Sequence, residues 1–155
     1  MKKMTKLFAL ALLAGAMISC STDDTASSTP NSKVAVQFTG GINVNTRAAG
    51  VAWADGDKIG IFMTDTKQPL SADAIQEGVD NVCYQSNGSI GFSPVSGGKT
   101  IFFPIDGDVD FYSYYPQTTV NDYKVALDVT DQTKQETIDF MYAKTEGCNK
   151  ATPQV

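Results

Sequence analysis

Val109-Asp110-Phe111-Tyr112-Ser113-Tyr114-Tyr115 is the stretch that decides the fold. Aromatic or apolar residues fall on both faces of this segment if it is extended, which suits a central strand covered on each side. Residues 58–64 (Lys58-Ile59-Gly60-Ile61-Phe62-Met63-Thr64) alternate, with Ile59, Ile61 and Met63 on one face and Phe62 on the other side. Outward from these two runs the alternation continues. Residues 33–39 put Val34, Val36 and Phe38 on one side, and residues 79–85 carry Val82 and Tyr84. A turn at Asn87-Gly88 leads into 90–92, and a second at Gly97-Gly98 leads into 100–103. Residues 123–129 and 138–143 complete the expected strands. Short alternating runs separated by turn residues predict an all-β sandwich or barrel. The only helix expected is 71–78, with Ser71 as its cap and Gly78 as its stop.

The N-terminus has a different composition. Lys2, Lys3 and Lys6 precede an apolar run over 7–18, with small residues Ala14, Gly15 and Ala16 towards its end. This is the layout of a secretory signal, and the run is shorter than the roughly 20 apolar residues of a spanning helix. Met17-Ile18-Ser19-Cys20 resembles the lipobox of bacterial lipoprotein precursors. That resemblance implies cleavage between Ser19 and Cys20, and acylation of the Cys20 thiol. Several acyl chains give a stable anchor where one does not. Residues 21–32 are rich in Ser and Thr, include Asp23-Asp24 and Pro30, and hold too little apolar surface to form a core. The expected organisation is therefore a signal peptide over 1–19, a flexible tether over 20–32 and one domain over 33–155.

Charge and residue types narrow the function. The 155-residue chain has a formal net charge of −5. Without Lys2, Lys3 and Lys6, its twelve basic residues become nine against seventeen acidic ones, a balance of −8. That disfavours nucleic acid, which requires clustered Lys and Arg. The chain has no histidine, so no Ser-His-Asp or Cys-His arrangement is available. No Gly-rich phosphate loop is present. Asp106-Gly107-Asp108-Val109-Asp110 fails the EF-hand pattern, because Phe111 and Gln117 stand where the Gly and the bidentate Glu belong. Cys83 and Cys148 are too distant in sequence for a zinc knuckle. An oxidising exported compartment would permit a disulfide between them, and two separately packed thiols are the expectation over it. Neither an enzyme nor a cofactor protein is expected.

Several stretches carry a family resemblance. Thr46-Arg47-Ala48 precedes Trp53 and Gly56-Asp57-Lys58-Ile59-Gly60-Ile61-Phe62-Met63. Then come Ile101-Phe102-Phe103-Pro104, Asp110-Phe111-Tyr112-Ser113-Tyr114-Tyr115-Pro116 and Asp139-Phe140-Met141-Tyr142-Ala143. In order and spacing, the series resembles the N-terminal domain of the fimbrillin family of Bacteroidetes, lipoprotein subunits of type V pili. The resemblance implies a transthyretin-like Greek-key β-sandwich, normally followed by a second domain. It also implies a lipid anchor in the outer membrane and assembly with other pilus subunits by strand addition. Cleavage after Arg47 by an arginine-specific protease would remove residues 33–39 and make Ala48 the new N-terminus. The other expectation is a non-polymerising surface lipoprotein that binds glycan or a host protein. Thr152-Pro153-Gln154-Val155 reads as the entry to a further strand, so an incomplete or truncated chain is expected.

Locally, Gly56-Asp57 is expected to turn ahead of a strand, and Gly60 to leave room for a bulky neighbour, with Trp53 as the candidate. Pro104 and Pro116 are expected to end strands, because proline has no N–H to donate to a ladder.

Overall fold

The computed structural model describes residues 32–42, 52–131, 133 and 139–155. Among the described residues, six strands form one sheet: β1 (Phe38–Thr39), β2 (Asp55–Asp65), β3 (Val82–Asn87), β4 (Gly91–Pro94), β5 (Val109–Tyr115) and β6 (Met141–Cys148). Their order across the sheet is β1-β4-β3-β2-β5-β6, and each strand pairs antiparallel with its neighbours. The expected all-β class is what the chain adopts.

The sheet is curled. Phe38 of β1 meets Phe111 of β5 edge-on, with ring centroids 5.2 Å apart, although three strands lie between them in the sheet order. Only a sheet folded over on itself brings those rings together. The enclosed core is Val36, Phe38, Ile59, Ile61, Met63, Tyr84, Phe92, Ile101, Phe103, Val109 and Phe111, joined by Val79 and Cys148. These residues come from the alternating faces read in the sequence, and burial of their apolar surface is the main force closing the fold.

β2 and β5 are adjacent internal strands, with β5 between β2 and the edge strand β6. In β2, Ile59 to Thr64 are buried without interruption. The outer face of this pair is covered by ring packing. Phe62 stacks on Tyr114 at 6.0 Å and meets Tyr123 edge-on at 5.7 Å. Gly60 is required here, but not by Trp53. A Cβ on Gly60 would stand 2.2 Å from Cε1 of Tyr114 and 2.5 Å from Oδ1 of Asn81. The register explains the correction, because Gly60 lies directly opposite Tyr114. The turn at Gly56 matches its expectation: φ is +86°, and Asp57 Oδ2 accepts from the Ala54 N–H at 2.8 Å.

Three elements differ from the pattern reading. Residues 71–78 form only a single 3-10 turn, Ala72–Ala74, and Ser71 makes no side-chain cap. The cause is β2. Gln76 N–H donates to Met63 O at 2.8 Å, and Met63 N–H donates to Val79 O at 3.1 Å. An α-helix over 71–78 would leave those buried strand groups unpaired, a cost that outweighs a short helix's propensity. Residues 123–129 form no strand: Asp122 and Tyr123 both take positive φ, and Leu127 and Val129 are exposed. The last strand runs later than 138–143, from Met141 to Cys148; Ile138 lies outside the described residues. Lys144 and Glu146 mask this strand in the sequence, and they are tolerated because β6 is an edge strand.

Cys83 and Cys148 are free thiols, as expected, and burial raises the Cys148 thiol above its ordinary value.

Candidate functional site

Residues 34–40 are bonded to other segments along both edges, and the site is built around them. Their partner changes midway. Val36 N–H donates to Ile101 O at 3.0 Å, and Phe103 N–H donates to Val34 O at 2.9 Å. Further on, Phe38 and Thr39 stand opposite Phe92 and Gly91 of β4. Gly40 N–H then donates to Ile90 O at 2.8 Å. The opposite edge of the same segment is also occupied. Gln37 N–H donates to Pro153 O and Thr39 N–H to Val155 O, both at 2.8 Å, while Val155 N–H donates to Gln37 O at 2.9 Å. Residues 152–155, read as a strand entry, thus run parallel to β1. β1 lies between two neighbours and is not an edge.

Beside β1 opens an apolar groove of about 500 Å³. One wall is β1 and the residues that follow it to Ile42, with Val155. The other is the core-facing side of β5 and β6, where Ser113 and Tyr115 face Ala143 and Met141. The curled sheet does not close over this part of β6, so Ala143 and Thr145 stay exposed. Trp53 sits at the groove's end. Its Nε1–H donates to Gly40 O at 2.8 Å, and its ring meets Phe92 and Tyr115 edge-on at 5.1 and 5.3 Å. Tyr142, 80% exposed, stands at the lip.

β6 is fixed to the sheet by a buried carboxylate on the other face. Asp110 has no exposed surface. It accepts from Thr66 Oγ1 at 2.9 Å, Lys67 N–H at 3.0 Å and Gly147 N–H at 3.0 Å. Lys144 Nζ lies 3.4 Å away and also pairs with Glu146. Burial by itself would raise this carboxyl, but the bonds from Gly147, Lys67, Thr66 and Lys144 outweigh it and hold it below its ordinary value. The acidic 106–110 turn is therefore a brace: Asp110 ties β5 to the 66–67 loop and to the bulge at Gly147. The sequence signal was an Asp inside an otherwise apolar strand run. Among the described residues, no cluster of His, Cys, Asp and Glu could hold a metal ion.

Ser19, Cys20, Arg47 and Ala48 lie outside the described residues. The chain positions of Arg47 and Ala48 still place that pair between two described residues, Gly40 and Trp53, which the indole hydrogen bond joins. Sequence reasoning named Trp53 without finding this role, because the bond spans 13 residues and goes to a backbone carbonyl.

The site is thus an apolar groove beside an internal strand of a curled, partly open β-sheet. Comparison with known proteins gives the family. Residues 46–155 match the fimbrillin-like family, and the chain belongs to it. It is 38% identical over 159 residues to Fim1C, a candidate fimbrium subunit of Bacteroides uniformis. That match covers 96% of this chain and 48% of the relative, so the chain spans about half of the relative's length. A crystal structure of a candidate cell adhesion protein from Bacteroides uniformis is also similar, at 38% identity and a TM-score of 0.60. It covers 79% of this chain and 46% of that one. A second such structure, from Bacteroides ovatus, shares the fold at a TM-score of 0.53 and 24% identity, covering 80% of this chain and 51% of that one.

Proposed function

We propose that this chain is a structural subunit or anchor of a type V pilus, delivered to the outer membrane as a lipoprotein and joined to its neighbours by strand exchange. Residues 1–19 are the signal peptide, Cys20 carries the lipid, residues 20–32 are the tether and 33–155 are the N-terminal domain. The role is structural and adhesive, not catalytic. Family membership supports the fimbrial part, as does similarity to a candidate fimbrium subunit.

The observation that carries strand exchange is the setting of residues 34–40. They bring Val36 and Phe38 into the core and pair by backbone hydrogen bonds with residues 101–103 and with β4. Without them, a slot with backbone donors, acceptors and apolar pockets would be left next to the groove. Such a slot suits a strand from another subunit, since main-chain bonds supply affinity and alternate side chains supply register. Arg47 is the single arginine of the chain, and Arg47-Ala48 follows β1. Cleavage there would break the covalent link between β1 and the rest of the domain.

A second reading, a non-polymerising surface lipoprotein that captures glycan or host protein, is favoured by Tyr142. An 80% exposed ring at the lip of an apolar groove is suited to stacking on a sugar face. Intact mass spectrometry of protein extracted from membranes separates the two. A mass starting at acylated Cys20 supports an anchor or the capture module. A mass starting at Ala48 supports the polymerising subunit. A mass that retains residues 1–19 would refute lipoprotein processing.

A further inference from the structure

We infer that cutting between Arg47 and Ala48 does not by itself free β1, and that Trp53 is the latch that holds the cut strand in place. The inference rests on the processing reading above and adds a second step to it. The first step is hydrolysis by an arginine-specific protease. Water adds across the Arg47–Ala48 peptide bond, giving a carboxylate on Arg47 and an ammonium on Ala48. The second step is departure of the strand, which breaks no covalent bond.

The two steps are separable because the described contacts of β1 are made by residues 34–40, several residues before the scissile bond. Segment 34–40 has backbone partners on both edges: residues 101–103, β4 and Ile90 on one side, Pro153 and Val155 on the other. Val36 and Phe38 are buried, and the Phe38 ring meets both Tyr84 and Phe111 edge-on at 5.2 Å. A strand enclosed on two edges cannot peel sideways without parting one of its neighbours. It must fray from an end, and the cut creates a free end on the Arg47 side.

Trp53 guards that end. Among the described residues before the cut, Gly40 is the last with a backbone hydrogen bond to the sheet, through its N–H to Ile90 O. Its carbonyl accepts from Trp53 Nε1–H at 2.8 Å. Trp53 belongs to the part that stays, on the far side of the cut, and Phe92 and Tyr115 fix its ring. The bond is therefore a non-covalent tie between the parts on either side of the cut, at the end of segment 34–40 nearer to it. Trp53 acts as a positioning residue for strand release.

The chain contains one arginine and one tryptophan, so it carries both the cutting site and a reporter. The full chain is incubated under native conditions with an arginine-specific protease. Cutting is followed on a denaturing gel, association of the fragments by native mass spectrometry, and the latch by Trp53 emission. The expected result is complete cutting with the fragments still associated and the emission unchanged. A labelled synthetic peptide copying residues 33–42 then enters slowly. Trp53→Phe keeps a ring but lacks the N–H, and peptide entry is expected to be roughly threefold to tenfold faster, as for loss of one hydrogen bond. Tyr123→Leu, altered on the opposite face, keeps the parent rate, which separates a latch from general loosening. If the fragments part and the emission shifts at the rate of cutting, the latch is wrong and processing stands. Entry into Trp53→Phe at the parent rate also overturns the latch. Resistance of Arg47–Ala48 to cutting overturns the processing reading, and the latch with it.

Discussion

Gly60→Ala tests the packing between β2 and β5. The substitution adds one methyl group at a strand position, where β propensity alone predicts little harm. The structure predicts a large effect. The new Cβ would stand 2.2 Å from Tyr114 Cε1 and 2.6 Å from Tyr114 Cζ. Carbon atoms in contact prefer about 3.5–4.0 Å, so the ring must recede by roughly 1.5 Å. It has little freedom to do so. The Tyr114 hydroxyl is 2.7 Å from both Asn81 Oδ1 and Thr118 O, accepts from Thr118 N–H at 3.2 Å, and the ring stacks on Phe62. Overpacking costs about 1–3 kcal/mol, and surrendering the hydroxyl's bonds adds about 1 kcal/mol. The expected loss is about 3 kcal/mol, read from the urea midpoint at an unchanged m-value. Gly60→Ala combined with Tyr114→Leu removes the obstructing ring atoms. The double variant is expected to lose less than the sum of the single losses, by about 1 kcal/mol or more. A Gly60→Ala protein within about 0.5 kcal/mol of the parent, or strict additivity with Tyr114→Leu, would refute this account.

Two further substitutions probe the buried polar groups. Asp110→Asn should destabilise the fold by about 2–3 kcal/mol at neutral pH, because charge-assisted bonds to Gly147, Lys67 and Thr66 are weakened. Since the native carboxyl lies below its ordinary value of 3.8, the unfolded chain binds the proton more readily, so this contribution is full above that value and is lost as pH falls through the lower native one. Denaturation midpoints of parent and Asp110→Asn should therefore converge on acidification, and a constant gap down to pH 2 would count against the brace. Thr64→Val should stabilise the protein by about 1 kcal/mol, measured as a raised thermal midpoint. The Thr64 hydroxyl is fully buried with no hydrogen-bond partner, and a methyl group of similar shape removes that cost. A lowered midpoint would mean the hydroxyl has a partner in solution.

The sequence by itself determined the all-β class, the faces of β2 and β5, and the turn at Gly56. These depend on alternation and on backbone freedom at single residues, which are local properties. Family kinship was also legible, because the ordered motifs from Trp53 to Ala143 survive without any knowledge of contacts. Tertiary structure alone decided the rest. Residues 71–78 form no helix because Met63 needs partners for its N–H and C=O. Gly60 makes room for Tyr114 and not Trp53, since the register between β2 and β5 selects the neighbour. Trp53 reaches the Gly40 carbonyl, and β1 is enclosed by segments more than fifty residues later in the chain. Asp110 became a brace because a charge in a strand is tolerated once donors from two distant segments converge on it. Each of these depends on which residues curling of the sheet brings together, and local periodicity carries no information about that distance.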